Sequence, residues 1–150
     1  MKVLILNSSD INGGAARAAY RLHRSLLEQG VDSQMLVQDK IGDDSTVIGP
    51  DSKLTKLLAK VRPTIDSLPL MFYRKRTQTL FSPSWLGFNS ISKKINDLNP
   101  DIVHLHWICG GMLRIEELSK IKAPIVWSLH DMWPFRSEEH TSELQSHLNL

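Results

Sequence analysis

An α/β fold, in which a parallel sheet carries helices on both faces, is predicted by three features of the sequence. Short apolar, β-prone runs recur at residues 3–6, 31–37, 101–107 and 125–129. Segments with helical spacing of apolar residues separate them, and glycine or proline marks most of the junctions. Strands alternating with helices assemble into parallel sheets whose crossovers are the helices. A chain of 150 residues, 41% hydrophobic and 23% charged, is long enough to bury a substantial core as one domain, and it falls outside the disordered and fibrous classes.

The first run, residues 3–6, predicts a strand, and residues 7–10 predict the loop that leads into Gly13-Gly14. A helix follows, because Ala15, Ala19, Leu22 and Leu26 repeat at steps of four, three and four. Arg17, Arg21, Arg24 and Glu28 repeat the same steps on the opposite side, so a basic face looks outward. Gly30 stands where a left-handed residue stops a helix, and residues 31–37 resume a strand. The opening is therefore β-α-β.

Thr46-Val47-Ile48 predicts a short strand, and residues 54–61 a helix closed by Pro63. Periodicity fails over residues 63–83, where Pro69 interrupts an apolar segment that runs into Arg74-Lys75-Arg76; this reads as an irregular excursion. Phe88, Ile91, Ile95 and Leu98 restore a helical stripe, which Asn99-Pro100 ends because proline disfavours a helical residue before it. The strand at 101–107, Gly110-Gly111, a helical segment over 112–121 and the strand at 125–129 form a second β-α-β.

Composition removes several function classes. A net charge of +2 is too small to hold nucleic acid by electrostatics. The single cysteine, Cys109, has no partner for an internal disulfide, which favours a reducing, cytoplasmic setting. The apolar run at 3–6 is too short for a signal-peptide core, and no stretch approaches the ~20 apolar residues of a membrane span.

The candidate chemistry gathers at the predicted carboxyl ends of the strands. Small residues at Gly13-Gly14-Ala15-Ala16 would let a ligand approach the N–H groups of a helix N-terminus, an anion or sugar cradle in outline. A tight turn with close helix packing explains the same glycines equally well. Alternation puts His104 and His106 on one face, with His106 nearer the loop and His104 a deeper core residue. His130-Asp131 has the same address after the next strand. Ligands in open parallel sheets bind beyond the carboxyl ends, so Gly13, Gly14, His106 and His130 are expected to converge on one cleft.

A metal-dependent hydrolase would also use His-x-His and His-Asp, but no carboxylate-rich motif completes a ligand set. Among the tryptophans Trp107, Trp127 and Trp133, the last, beside Pro134, is the expected sugar contact; the others read as core. Leu68 to Tyr73 with Arg74, Lys75 and Arg76 offers an apolar and basic surface for peripheral contact with an anionic membrane, against the simpler reading of a solvated loop.

Residues 136–147 resemble an in-frame translation of a sequencing-library adapter. The expectation is a native unit at 1–135 and a non-native tail at 136–150, so His140 and His147 are given no role. Without the tail, which takes one arginine and three glutamates with it, the formal net charge rises from +2 to +4.

Four segments together, Met1 to Asn7, Asp10 to Tyr20, Pro100 to Trp107 and Trp127 to Phe135, resemble the N-terminal domain of the group 1, family four glycosyltransferases of bacterial envelope polysaccharide synthesis. The resemblance implies half of a GT-B fold, in which two Rossmann-like domains face each other across a cleft. It implies transfer of a sugar from a nucleotide donor to a saccharide or lipid-linked acceptor with anomeric retention, with no metal or cofactor. By position, Gly13 and Gly14 match the family's glycine-rich loop near the donor phosphates, and His130 matches a histidine that hydrogen-bonds the sugar; His106 and Asp131 accompany it. Relatives continue into a second domain with two glutamates eight residues apart, a spacing that no glutamates here show. The expectation is an incomplete, acceptor-side domain that is inactive alone; the alternative is a non-catalytic sugar- or phosphate-binding module.

Overall fold

A computed structural model describes residues 1–50, 52–71, 82, 84 and 91–131. Its elements are β1 (Lys2–Ser9), α1 (Gly14–Glu28), β2 (Asp32–Asp39), β3 (Val47–Ile48), α2 (Lys53–Asp66), α3 (Leu68–Met71), α4 (Ile91–Leu98), β4 (Ile102–Leu105), a 3-10 turn (Ile115–Lys120) and β5 (Ile125–Trp127). The strands form one parallel sheet in the order β3-β2-β1-β4-β5. This is the α/β architecture expected from the alternation of strands and helices.

Register explains how an unbroken apolar run serves two cores. Partners in a parallel pair share a face, and successive residues alternate. Val3, Ile5, Met35, Val37 and Val47 therefore pack with Ala19 of α1 on one side. Leu4, Leu6, Leu36, Val103 and Leu105 pack with Ile95 of α4 on the other. A strand buried on both faces needs continuous hydrophobicity, and each such side chain contributes roughly 1.5–3 kcal/mol. Gly30 has φ 74° and Asn99 φ 47°, so both helix stops use the left-handed conformation that glycine and asparagine tolerate best.

Four local expectations are corrected. The segment 7–10 is not all loop, since β1 pairs through Asn7 and Ser9 with Val37 and Asp39. Pro63 does not close α2, which runs on to Asp66. The missing proline N–H orphans the carbonyl four residues back, Ala59, and that oxygen accepts from Gln38 Nε2 at 3.3 Å instead. The supposed excursion holds α3, whose Pro69 sits in a first turn where its missing N–H does no harm. Residues 112–121 form only the six-residue 3-10 turn, because Met112 and Leu113 go into the core ahead of it.

Candidate functional site

Strand order reverses at β1: one crossover series leads outward to β2 and β3, and the other side carries β4 and β5. The loops leaving β1 and β4 diverge there and open a crevice at the carboxyl rim. Two buried polar side chains fix its edges. Asn7 Oδ1 accepts the Trp107 N–H at 2.9 Å while its Nδ2 donates to the Ser9 carbonyl at 2.6 Å, tying the ends of β1 and β4. Asp10 accepts the N–H groups of Ile41 at 3.0 Å and Gly42 at 2.8 Å, anchoring the loop after β2.

The crevice is a cleft of about 650 Å³ bordered by Gly13 through Ala16, Gln38, Asp39, Lys60, Trp107, His130 and Asp131. Gly13 has φ 96° and ψ 168°, a conformation essentially restricted to glycine, and it leaves α1 without a side-chain cap. First-turn amides lack intrahelical acceptors and carry the positive end of the helix dipole. That helix end lies on the cleft wall, suited to an anionic or hydroxyl-rich ligand.

The histidines form a graded stack. His104 is half-buried and its Nε2 meets Ser128 Oγ at 2.8 Å. His106 is only 5% exposed, its ring 4.5 Å from His104 and 5.0 Å from the exposed His130. Its Nδ1 lies 2.7 Å from His130 Nε2, while its own Nε2 is buried without a partner. Burial, reinforced by the rings of His104 and His130, pushes the His106 pKa down to about 4. Burial, then His130, also lowers that of His104. Asp131 accepts the Trp107 indole N–H at 3.2 Å.

The sequence-predicted residues Gly13, Gly14, His130 and Asp131 thus border one cleft, and His106 stands behind His130 rather than on the wall. His106, not His104, is the more deeply buried of the pair. Trp107, read as core, borders the cleft; Trp127 packs on the core and donates to the His106 carbonyl at 3.0 Å. Trp133, Arg74, Lys75 and Arg76 lie outside the described residues. Sequence reasoning missed Asn7, Asp10, Gln38 and Asp39. Their signal was a polar side chain at the carboxyl end of an apolar strand.

Chemically the wall offers hydrogen bonds and amide dipoles, and its one thiol is not activated. Burial, with the carboxylates of Asp131 and Asp66, pushes the Cys109 thiol up to about 12, so it stays protonated at neutral pH. Among the described residues no group of three or more His, Cys, Asp or Glu side chains is placed to hold a metal ion. No helix among them is long and apolar enough to cross a membrane.

The family model described as Glycosyltransferase Family 4 matches residues 12–149. No curated protein and no solved structure matches the chain.

Proposed function

The chain belongs to glycosyltransferase family 4, and from that premise we propose that its carboxyl-rim cleft is the acceptor-side wall of a sugar-transfer site. The reaction is transfer from a nucleotide-sugar donor to a saccharide or lipid-linked acceptor with anomeric retention, in cytoplasmic synthesis of bacterial envelope polysaccharide. The observation that carries this reading is the shared cleft of the Gly13-Gly14 turn and His130-Asp131. The free amides of α1 would meet phosphate or sugar oxygens, His130 a sugar hydroxyl, and Trp107 a pyranose face.

The same wall supports the proposal that this chain alone does not turn over. A departing nucleoside diphosphate needs cations or oriented donors where charge develops. Lys60 is the one lysine or arginine among the described cleft residues. Residues 136–150 take no part in the proposed site, although the family match runs through 149.

Peripheral membrane contact at an anionic inner leaflet is part of the same proposal. The contact is assigned to Leu68 to Tyr73 with Arg74, Lys75 and Arg76, an apolar and basic combination of the kind that binds anionic interfaces. Sedimentation with anionic and with zwitterionic vesicles checks it, and equal recovery with both would remove that part.

The decisive experiment titrates the full chain with glucose 1-phosphate and with nucleotide-sugars, following the backbone amides of Gly14 and His130 by NMR alongside an assay for released nucleotide. Saturable shifts at both amides without nucleotide release are expected. Turnover by the isolated chain would overturn the one-wall reading. Unmoved amides would remove the cleft from sugar binding altogether.

A further inference from the structure

The contact between His106 and His130 determines which nitrogen of each ring carries hydrogen. Nδ1 of His106 and Nε2 of His130 are 2.7 Å apart, so one donates and the other accepts. The remaining nitrogen of His106, Nε2, is sealed from solvent and meets no hydrogen-bonding partner. Hydrogen on Nε2 would strand a buried donor, and orphaned N–H groups are rarer in folded proteins than under-used acceptors. Hydrogen on Nδ1 instead satisfies the donor and leaves only a lone pair in the sealed position. The lowered pKa of His106 agrees with a neutral ring that has one hydrogen to place.

The His106 ring also has little freedom to adjust. Its backbone N–H donates to the Leu6 carbonyl at 2.9 Å and its carbonyl accepts from Trp127 Nε1 at 3.0 Å. The rings of His104 and His130 both lie against it, with centroids at 4.5 Å and 5.0 Å.

We infer that His106 is a positioning residue whose Nδ1–H donates to His130 Nε2, fixing His130 with hydrogen on Nδ1 so that it offers the cleft a donor for a ligand oxygen. The ligand class follows: an acceptor oxygen, such as a sugar hydroxyl or phosphoryl oxygen, rather than an ammonium or other obligate donor. This assignment of ligand rests on the sugar-site reading above; the placement of the hydrogens does not.

The test uses the full chain labelled with nitrogen-15, with long-range proton–nitrogen correlations on the imidazole rings at pH 7.5 and glucose 1-phosphate as the probe. Wild type should show both His106 and His130 with hydrogen on Nδ1. In His106→Phe, His130 should revert toward the Nε2–H form favoured by free imidazole side chains, and affinity for glucose 1-phosphate should fall about tenfold. His106→Asn, whose Nδ2 can stand in for Nδ1–H, should restore both. An Nε2–H signature for His130 in wild type overturns the inference by itself, even if the variants do not fold. A correct tautomer with no glucose 1-phosphate binding would instead sink the sugar-site reading and leave the hydrogen assignment standing.

Discussion

His23 and His106 are both buried, and burial lowers the pKa of both, yet they sit at opposite rims of the sheet in opposite states of satisfaction. His23 projects from α1 toward Ser33, the second residue of β2, and both its nitrogens are used: Nδ1 meets Ser33 Oγ at 2.8 Å and Nε2 meets Thr46 Oγ1 at 2.7 Å. Thr46 in turn donates to Asp44, whose carboxyl is held well below the usual range by that hydroxyl and by Tyr20. At the carboxyl rim His106 has one nitrogen used and one stranded. A complete network specifies a structure, whereas an incomplete one at a cleft is tolerated for what it does to a ligand. On the proposed reading, the amino-terminal rim serves stability and the carboxyl rim serves binding.

The largest expected effect tests that division directly. His23→Ala removes a buried ring and leaves two hydroxyls unpaired, which should cost ~3–4 kcal/mol in urea unfolding. Ligand affinity per folded molecule should hold. His106→Phe should change stability by less than ~1 kcal/mol, because it deletes a stranded polar atom along with one hydrogen bond. If the two stability effects were reversed, the division between rims would fail.

Acidification should separate the rims next. His23, His104 and His106 all hold a proton less readily when folded. The unfolded chain therefore takes up protons first as pH falls below about 6.5. Stability is full above that value and declines toward the folded-state His106 value of about 4. A loss of ~3 kcal/mol across this window is expected from thermal or urea unfolding at stepped pH. His106→Phe should remove most of the slope, and an unchanged slope would assign the protons elsewhere.

A smaller effect, ~1–2 kcal/mol, is expected for Gly13→Ala, since φ 96° strains any side chain even though a methyl group there meets no neighbour within 4 Å. Refolded yield and urea midpoint measure it. Smallest of all, deleting residues 136–150 should shift stability by less than ~0.5 kcal/mol and leave glucose 1-phosphate binding intact. A loss of binding on that deletion would show that the tail belongs to the site.

Much of this architecture was legible because the strands are buried on both faces, so Val3 to Leu6 had to be apolar throughout. The convergence of Gly14 and His130 was legible too, since strand polarity alone sends both loops to one rim. What the sequence hid were contacts between residues far apart in the chain. Nothing near Pro63 announces that Gln38 will donate to the Ala59 carbonyl it orphans, so the sequence predicts a helix stop where the helix in fact continues. Asn7 and Asp10 looked like loop residues because their partners, Trp107 and the Ile41-Gly42 amides, are set by tertiary structure. The order of burial of His104 and His106 was misjudged for a similar reason: His130 covers His106, and its distance in sequence concealed that.

The Gln38 side chain has a mechanical consequence. Its one amide group donates to Ala59 in α2 and to Gly110 beyond β4, at 3.3 Å and 3.0 Å, and both of those residues border the cleft. Parting the helix from the glycine turn would break both bonds together and strand two carbonyls in a dry interior. Those two stretches of wall are riveted into one plate, so a ligand entering the cleft would meet a surface that tilts as a unit rather than one that yields residue by residue.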